Sequence, residues 1–305
     1  MEKPAYYRAI WRWHFYAGLA CIPFILWLAC TGAIYVWKPQ VDALIDRPYD
    51  HLPITGPVAT PGAQVRAALA ALPGSTFKRY ELQRDRHSAA RVIVTRNGKA
   101  FRIYIDPSSL LILKTVGEND RLMQVVFRLH GELLMGNLGS YVVELAASWA
   151  IVMILSGLYL WWPRGTRLAG VLWPRLGASG RPLWRDLHAV IGFWVSALAL
   201  FMLMSGLPWA KGWGTYFQEL RSLSGTAVAH QDWPVGSEPT EHAAHRMAMR
   251  GTAARFDAMA LDRVVPTARA LNFAAPVLID PPAFRGGAWV VASEAQDRPL
   301  RANAT

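Results

Sequence analysis

Polar and apolar positions along the chain fall into two regimes. Residues 15–37, 141–162 and 189–209 form three apolar blocks almost free of charge. Each has roughly the 20 residues a helix needs to cross about 30 Å of hydrocarbon. They predict three transmembrane helices, and Glu144 is the main charged exception. The first block is too long for a signal-peptide core. No small-x-small cleavage site follows Trp37, so the block is expected to stay as an anchor.

Between and after the blocks the pattern is that of a water-facing fold. In residues 38–120, PGAQVRAALAALPG has a helical period and ends on Pro-Gly. FKRYELQRD, ARVIVTRNGKA and FRIYIDPSSLLIL alternate apolar and polar residues, broken by turn signals at Asn97-Gly98 and Asp106-Pro107. This predicts one helix packed on an antiparallel sheet. The last stretch repeats the order: LDRVVPTARALNF as a helix, APVLIDPP and AWVVASEA as strands, and RPLRANAT opening a third.

The membrane segments repeat as well. His14, Gly18 and Gly32 of the first block match His188, Gly192 and Gly206 of the third, each set with H-x3-G and a Thr-Gly or Ser-Gly pair at the same distance. The order is helix, α+β module, helix, then helix and α+β module, a parallel repeat about an axis along the membrane normal. The second unit stops before a counterpart of the second membrane helix. The expected fold is therefore a membrane α-helical protein, with three transmembrane helices here and four in a complete repeat, carrying α+β modules. The chain reads as a fragment or truncated relative of a four-helix protein. The alternative is a three-helix protein whose tail merely resembles the first module.

The expected organisation is 1–37 for the N-terminus and first span, 38–120 for the first module, and 121–162 for an interfacial helix and the second span. A basic loop (163–187), a third span (188–213) and a second, truncated module (214–305) follow.

Charge adds orientation. The net charge is +11. Lys3, Arg8 and Arg12 flank the first span, while Arg164, Arg167, Arg175, Arg181 and Arg185 crowd the loop between the second and third. Cytoplasmic flanks hold such an excess, so the N-terminus and that loop are expected inside and both modules outside. Trp and Tyr at the block ends suit the membrane interface. The basic charge thus reads as topology; no basic face with interleaved aromatics supports nucleic-acid binding. Cys21 and Cys30, nine residues apart in the first block, fall on opposite sides of a helix turning about 100° per residue, so they cannot bridge.

The candidate chemistry lies in the histidines. His14 and His188 open two spans that cross in the same direction, so they are expected at equal depth. Ionisable side chains at membrane depth are rare and usually functional. Two imidazoles on facing helices can supply both axial ligands of a haem. Gly18 follows His14 by one turn, and Gly32 by five, returning to the same face about 27 Å along the axis. Such small residues either allow close helix approach or leave room for a flat macrocycle. His130, in FRLHGELLMGNLGSY on the outer side, is a third ligand candidate; its alternative is an interfacial histidine. Arg12 and Arg185 can meet haem propionates, and inner-face anchoring explains them equally well. His51, His87, His230, His242 and His245 lie in the outer stretches, and EHAAHRMAMRG reads as a solvated linker rather than a metal site. CxxC, CxxCH, HExxH, P-loop and GxGxxG patterns are missing, so c-type haem, thiol redox chemistry, zinc proteolysis and nucleotide hydrolysis have no support.

WRWHFYAGL, FRIYIDPSSLLIL, LHGELLMGNLG, LSGLYLWWPR and WRDLHAVIGFW, in this order, resemble the PepSY-associated transmembrane family of bacteria, which includes iron-regulated inner-membrane proteins and ferric-siderophore reductases. The resemblance covers essentially the whole chain. It implies four membrane helices, periplasmic PepSY-like modules and haem b, one or two per chain, with His14, His130 and His188 as ligand candidates. It also implies electron transfer across the inner membrane to a ferric siderophore, from a cytoplasmic-side or quinone donor that the residues do not name. Lacking a fourth helix, the chain would leave His130 with no matching ligand. A rival reading is a membrane-anchored PepSY protein that binds or inhibits peptidases without redox activity. A transporter is suggested by the repeats, but broken helices and midplane charges are lacking.

Overall fold

The computed structural model describes residues 5–163, 169–226, 257–282, 287–294 and 301–304. Arg164, Arg167, His230 and the linker read at EHAAHRMAMRG lie outside them. The helices are α1 (Ala5–Val36), α2 (Lys38–Asp46), α3 (Pro61–Ala71), α4 (Leu122–Glu132), α5 (Asn137–Trp161), α6 (Arg181–Gly206), α7 (Lys211–Leu223) and α8 (Ala258–Ala270). The strands are β1 (Thr76–Glu81), β2 (Ala90–Arg96), β3 (Lys99–Ile105), β4 (Ile112–Gly117), β5 (Val277–Asp280), β6 (Trp289–Ser293) and β7 (Arg301–Ala304). The chain divides into two compact units, residues 1–35 with 126–240, and residues 36–125 with 241–305.

In the first unit, α1, α5 and α6 are, among the described residues, the three helices long and apolar enough to cross a membrane. Two begin well before their apolar blocks. The Trp- and Arg-rich lead-ins at 5–14 and 181–188 are good helix formers and simply continue the helix, with Pro182 in the opening turn of α6, where its missing N–H is harmless. α5 packs chiefly against α6 and α7 and touches α1 through side chains at separate points. Tyr159 lies 6.5 Å from Tyr7 between ring centroids, and a Cβ on Gly18 would meet Met153 Sδ at 3.6 Å, an ordinary contact. The chain before α5 also lies on α1: Trp27 Nε1 donates to the Leu129 carbonyl at 3.0 Å, and Tyr35 meets Phe127 at 5.6 Å.

Glu144, the charge inside the second span, has a structural task. Its carboxylate accepts the backbone N–H groups of Gly212 at 2.9 Å and Trp213 at 2.5 Å. These are orphan donors in the first turn of α7, where the helix dipole also favours an anion. A Cβ on Gly212 would sit 2.9 Å from Glu144 Oε1, so a glycine lets the carboxylate close on the helix end.

The second unit is one seven-stranded antiparallel sheet, ordered β4-β3-β2-β1-β5-β6-β7. The β2–β3 hairpin turns on Asn97 and Gly98, both with positive φ (49° and 74°), as a two-residue turn between twisted strands requires. The sequence treats the outer stretches as two modules; here they share a sheet, with Tyr80 opposite Ile279 and Glu81 opposite Leu278. Pairing β1 with β5 removes two open edges at once and brings α3 and α8 over one core. That core joins Tyr80, Val92, Val94, Ile103, Ile279 and Val291 of the sheet to Val65, Ala68, Leu261 and Val265 of the helices. The arrangement repeats about the β1–β5 pair: helix and outward-running strands on each side. α3 and α8 approach closely at Gly62, where a Cβ would lie 2.7 Å from the Ala258 carbonyl oxygen. Gly62 N–H donates to Asp262 at 2.6 Å.

Candidate functional site

The structure brings His14 and His188 together. Their ring centroids are 6.3 Å apart with planes at 68°. His14 is half-buried, while His188 is exposed.

Hydrogen bonds fix the His14 tautomer. Ser156 Oγ spends its proton on the Met153 carbonyl at 2.9 Å. His14 Nδ1 lies 3.1 Å from both that carbonyl and Ser156 Oγ. A carbonyl can only accept, and the hydroxyl has already donated, so Nδ1 carries the proton. Nε2 is left with its lone pair, the form in which imidazole binds metals; such an outer hydrogen bond orients a ligating ring. Gly157 makes the fit tight, since a Cβ there would lie 3.0 Å from His14 Cε1.

His130 is prepared in the same way. Thr31 Oγ1 donates to the Trp27 carbonyl at 2.8 Å, so at 3.0 Å it accepts from His130 Nδ1–H. Burial pulls the His130 pKa below the ordinary imidazole value, against the opposite pull of the Leu28 carbonyl. Gly32 makes the space: a Cβ there would meet His130 Cε1 at 3.3 Å. Thus α1 carries a histidine contact near each end, and of its two glycines Gly32 serves close approach. Gly192 and Gly206 of α6 meet nothing within 4 Å among the described residues. His130 has no imidazole opposite it among the described residues.

Arg12 is exposed on α1. Arg185 is exposed too, but it is tied to Asp186 at 2.8 Å. Asp186 is fully buried and also holds Arg175 through two bonds of 2.6 and 2.9 Å. A lone acid in a basic stretch was the available sign of this clamp, which pins the loop to the start of α6. The Trp161 and Trp194 indoles add to it, donating to the Val171 and Leu172 carbonyls. Cys21 is buried and Cys30 exposed, on different sides of α1.

The residues fit a haem in donor type and spacing. Imidazole nitrogens bind first-row metals at about 2 Å. Two such bonds in line, with the ring radii added, span a separation like that between His14 and His188. No cluster of three or more metal-ligating side chains occurs among the described residues, which bears on metal cages and not on a two-histidine axial pair.

A second set of groups escaped the sequence reading. The sheet face away from the helices carries Glu81, Arg91 and Arg102, which look solvent-facing by alternation; the two arginines are buried and Glu81 is half-buried. Arg91 reaches Asp50 at 2.6 Å and Asp46 at 3.5 Å. Arg102 reaches Glu118 at 2.6 Å and also pairs with Glu81. The Tyr104 hydroxyl donates to Asp46 at 2.9 Å. α2 and the turn after it supply Asp46 and Asp50, closing the network from above.

No curated protein matches this chain. The family described as the PepSY-associated TM region matches residues 11–300, a span that takes in most of α1, all of α5 and α6, the paired histidines and strands β1 to β6. The chain belongs to the PepSY-associated transmembrane family.

Proposed function

We propose that this protein is a b-haem electron-transfer protein of the bacterial inner membrane that reduces a ferric chelate, a ferric siderophore, at its periplasmic side. The observation that carries the reading is the His14–His188 pair, 6.3 Å apart with the His14 tautomer set for Nε2 ligation. A haem bound there would supply one-electron transfer with both axial positions filled. His14 and His188 would hold it, and Ser156, Met153 and Gly157 keep the His14 ring still. His130, anchored on Thr31, is the candidate ligand for a second haem. Arg12, exposed on α1, is the candidate to balance propionate charge, while Arg185 is engaged by Asp186. Reducing the chelated iron loosens it, because Fe(II) is softer and less charged than Fe(III) and is held less tightly by hard oxygen donors.

The test is an optical spectrum of the purified chain in detergent, oxidised and then dithionite-reduced, beside His14→Ala and His188→Ala. A sharp reduced α band, lost in either variant, is expected. A folded protein reconstituted with haem that shows no such band would sink the reading. A second reading is favoured by the sheet unit having its own core: a membrane-anchored binding or regulatory protein, in which the sheet engages a partner such as a peptidase and no haem is present.

A further inference from the structure

α7 leaves its apolar side uncovered among the described residues. On a helix turning about 100° per residue, Trp213, Tyr216, Phe217, Leu220 and Leu223 share an arc of about 120°. Gln218 and Ser222 lie opposite, and Glu219 and Arg221 flank the arc. All five apolar side chains are exposed, from 37% at Phe217 to 85% at Leu223. Three of the rings pack together: Trp213 lies 6.0 Å from Tyr216 and 6.2 Å from Phe217 between centroids. The arc is thus one continuous patch, and an exposed apolar patch of this kind marks a contact surface.

The start of α7 is pinned at the ends of two spans. The helix begins just after residues 207–210, the short turn that closes α6. Its first N–H groups meet Glu144, which stands about 10 Å along α5 from that helix's first residue, Asn137. The Trp213 indole donates to Ser148 Oγ at 3.2 Å, so the ring's one polar atom is satisfied by α5 and its apolar body is left outside. The buried position on α7 is Gly214, outside the apolar arc, so the bundle holds the helix by its small-residue side. The adjoining ends of both spans are exposed and apolar as well, at Leu145 and Trp149 of α5 and at Met202 and Met204 of α6.

We infer that α7 lies along the bilayer surface where α6 leaves it, with the aromatic arc sunk into the boundary between headgroups and acyl chains. The occupant of the patch is lipid because the patch adjoins the lipid-facing surface of the spans and is tied to them at its first turn. Apolar faces of interfacial helices enter that boundary by about 5–10 Å, and it is the layer that favours Trp and Tyr. Arg221, at the edge of the arc, can keep its stem among apolar groups and its guanidinium among headgroup phosphates. The chain leaving α6 is thereby held on the membrane before it continues to the second outer stretch. The patch contains neither His14, His130 nor His188, so it stands or falls apart from the haem reading.

The experiment places a nitroxide on Leu220→Cys, Leu223→Cys or Ser222→Cys, one at a time, in the full-length chain with Cys21 and Cys30 replaced by alanine. All three positions are exposed, so the label displaces no core contact. The chain is reconstituted in vesicles of phosphatidylethanolamine and phosphatidylglycerol, and collisions with oxygen, which enters lipid, are compared with those of a nickel chelate, which stays in water. The oxygen-to-nickel ratio should be severalfold higher at Leu220 and Leu223 than at Ser222. Equal ratios at all three, with the nickel chelate free to collide, would put α7 in water and overturn the assignment. Labels at Leu220 and Leu223 that are immobilised and shut off from both reagents would overturn it in favour of a protein contact, a second copy of the chain included.

Discussion

A ligating imidazole has to be in one tautomer and held still. At His14 these conditions come from three neighbours on α5: an accepting carbonyl, an accepting hydroxyl, and a glycine that leaves the ring its place. Gly157→Leu should therefore push His14 away from His188 and abolish the reduced haem band, while the circular dichroism of the sheet survives. An unchanged band would mean that Gly157 does not set the ring position. Glu144 shows the opposite use of a charge at membrane depth. It satisfies two backbone donors at the start of α7. Glu144→Leu strands both N–H groups, and a loss of about 1–3 kcal/mol is expected, seen as a lower unfolding midpoint in detergent. Glu144→Gln, which keeps one accepting oxygen, should lose less. Equal midpoints for the wild type and Glu144→Leu would show that solvent caps α7 just as well.

Among elements, the α3–α8 contact decides whether the two outer stretches behave as one fold. Its closest point is Gly62 against Ala258. Gly62→Val should force the helices apart and destabilise the sheet unit by about 1–3 kcal/mol, with strands from both stretches losing protection together in hydrogen exchange. Loss confined to one stretch would show that they fold independently. The membrane helices were legible in the sequence because apolar length is a one-dimensional property. The strands were legible because one face alternates into a core. The joining of β1 to β5 was not, since Glu81 and Leu278 lie far apart in sequence and nothing local names a strand's partner. α2 is short and mixed in polarity, so periodicity could not find it. Alternation also cannot tell a face that meets water from one that meets carboxylates, which is why Arg91 and Arg102 went unnoticed. The histidine pair was legible because the repeat offers it twice; its anchoring by Ser156 was not, because that partner comes from a helix outside the repeat.

Across the whole molecule, the single sheet constrains how the chain crosses the membrane. β1–β4 and β5–β7 hydrogen-bond in one sheet, so both outer stretches must lie on the same side. Between them the chain passes through α5 and α6, and two crossings return it to the side it left. If either helix lay on the surface, β1 and β5 would be separated by the bilayer and could not pair. The sheet thus requires α5 and α6 to cross together or not at all, an argument independent of hydropathy, and their apolar length favours crossing. It does not say which side is which. The proposed orientation rests on charge: Arg8, Arg12, Arg175, Arg181 and Arg185 flank the opposite ends of the spans, and such an excess is typical of cytoplasmic flanks. In a background with Cys21 and Cys30 replaced by alanine, a cysteine at Ser109 or Met259, both exposed in the sheet unit, should react in intact cells with a maleimide that cannot cross the inner membrane. A cysteine at Ser179, exposed in the loop before α6, should react only after lysis. Ser109 and Met259 reporting different sides would refute the shared sheet. The reverse labelling of all three would keep the sheet and refute the orientation, and with it a reductase that meets its chelate in the periplasm.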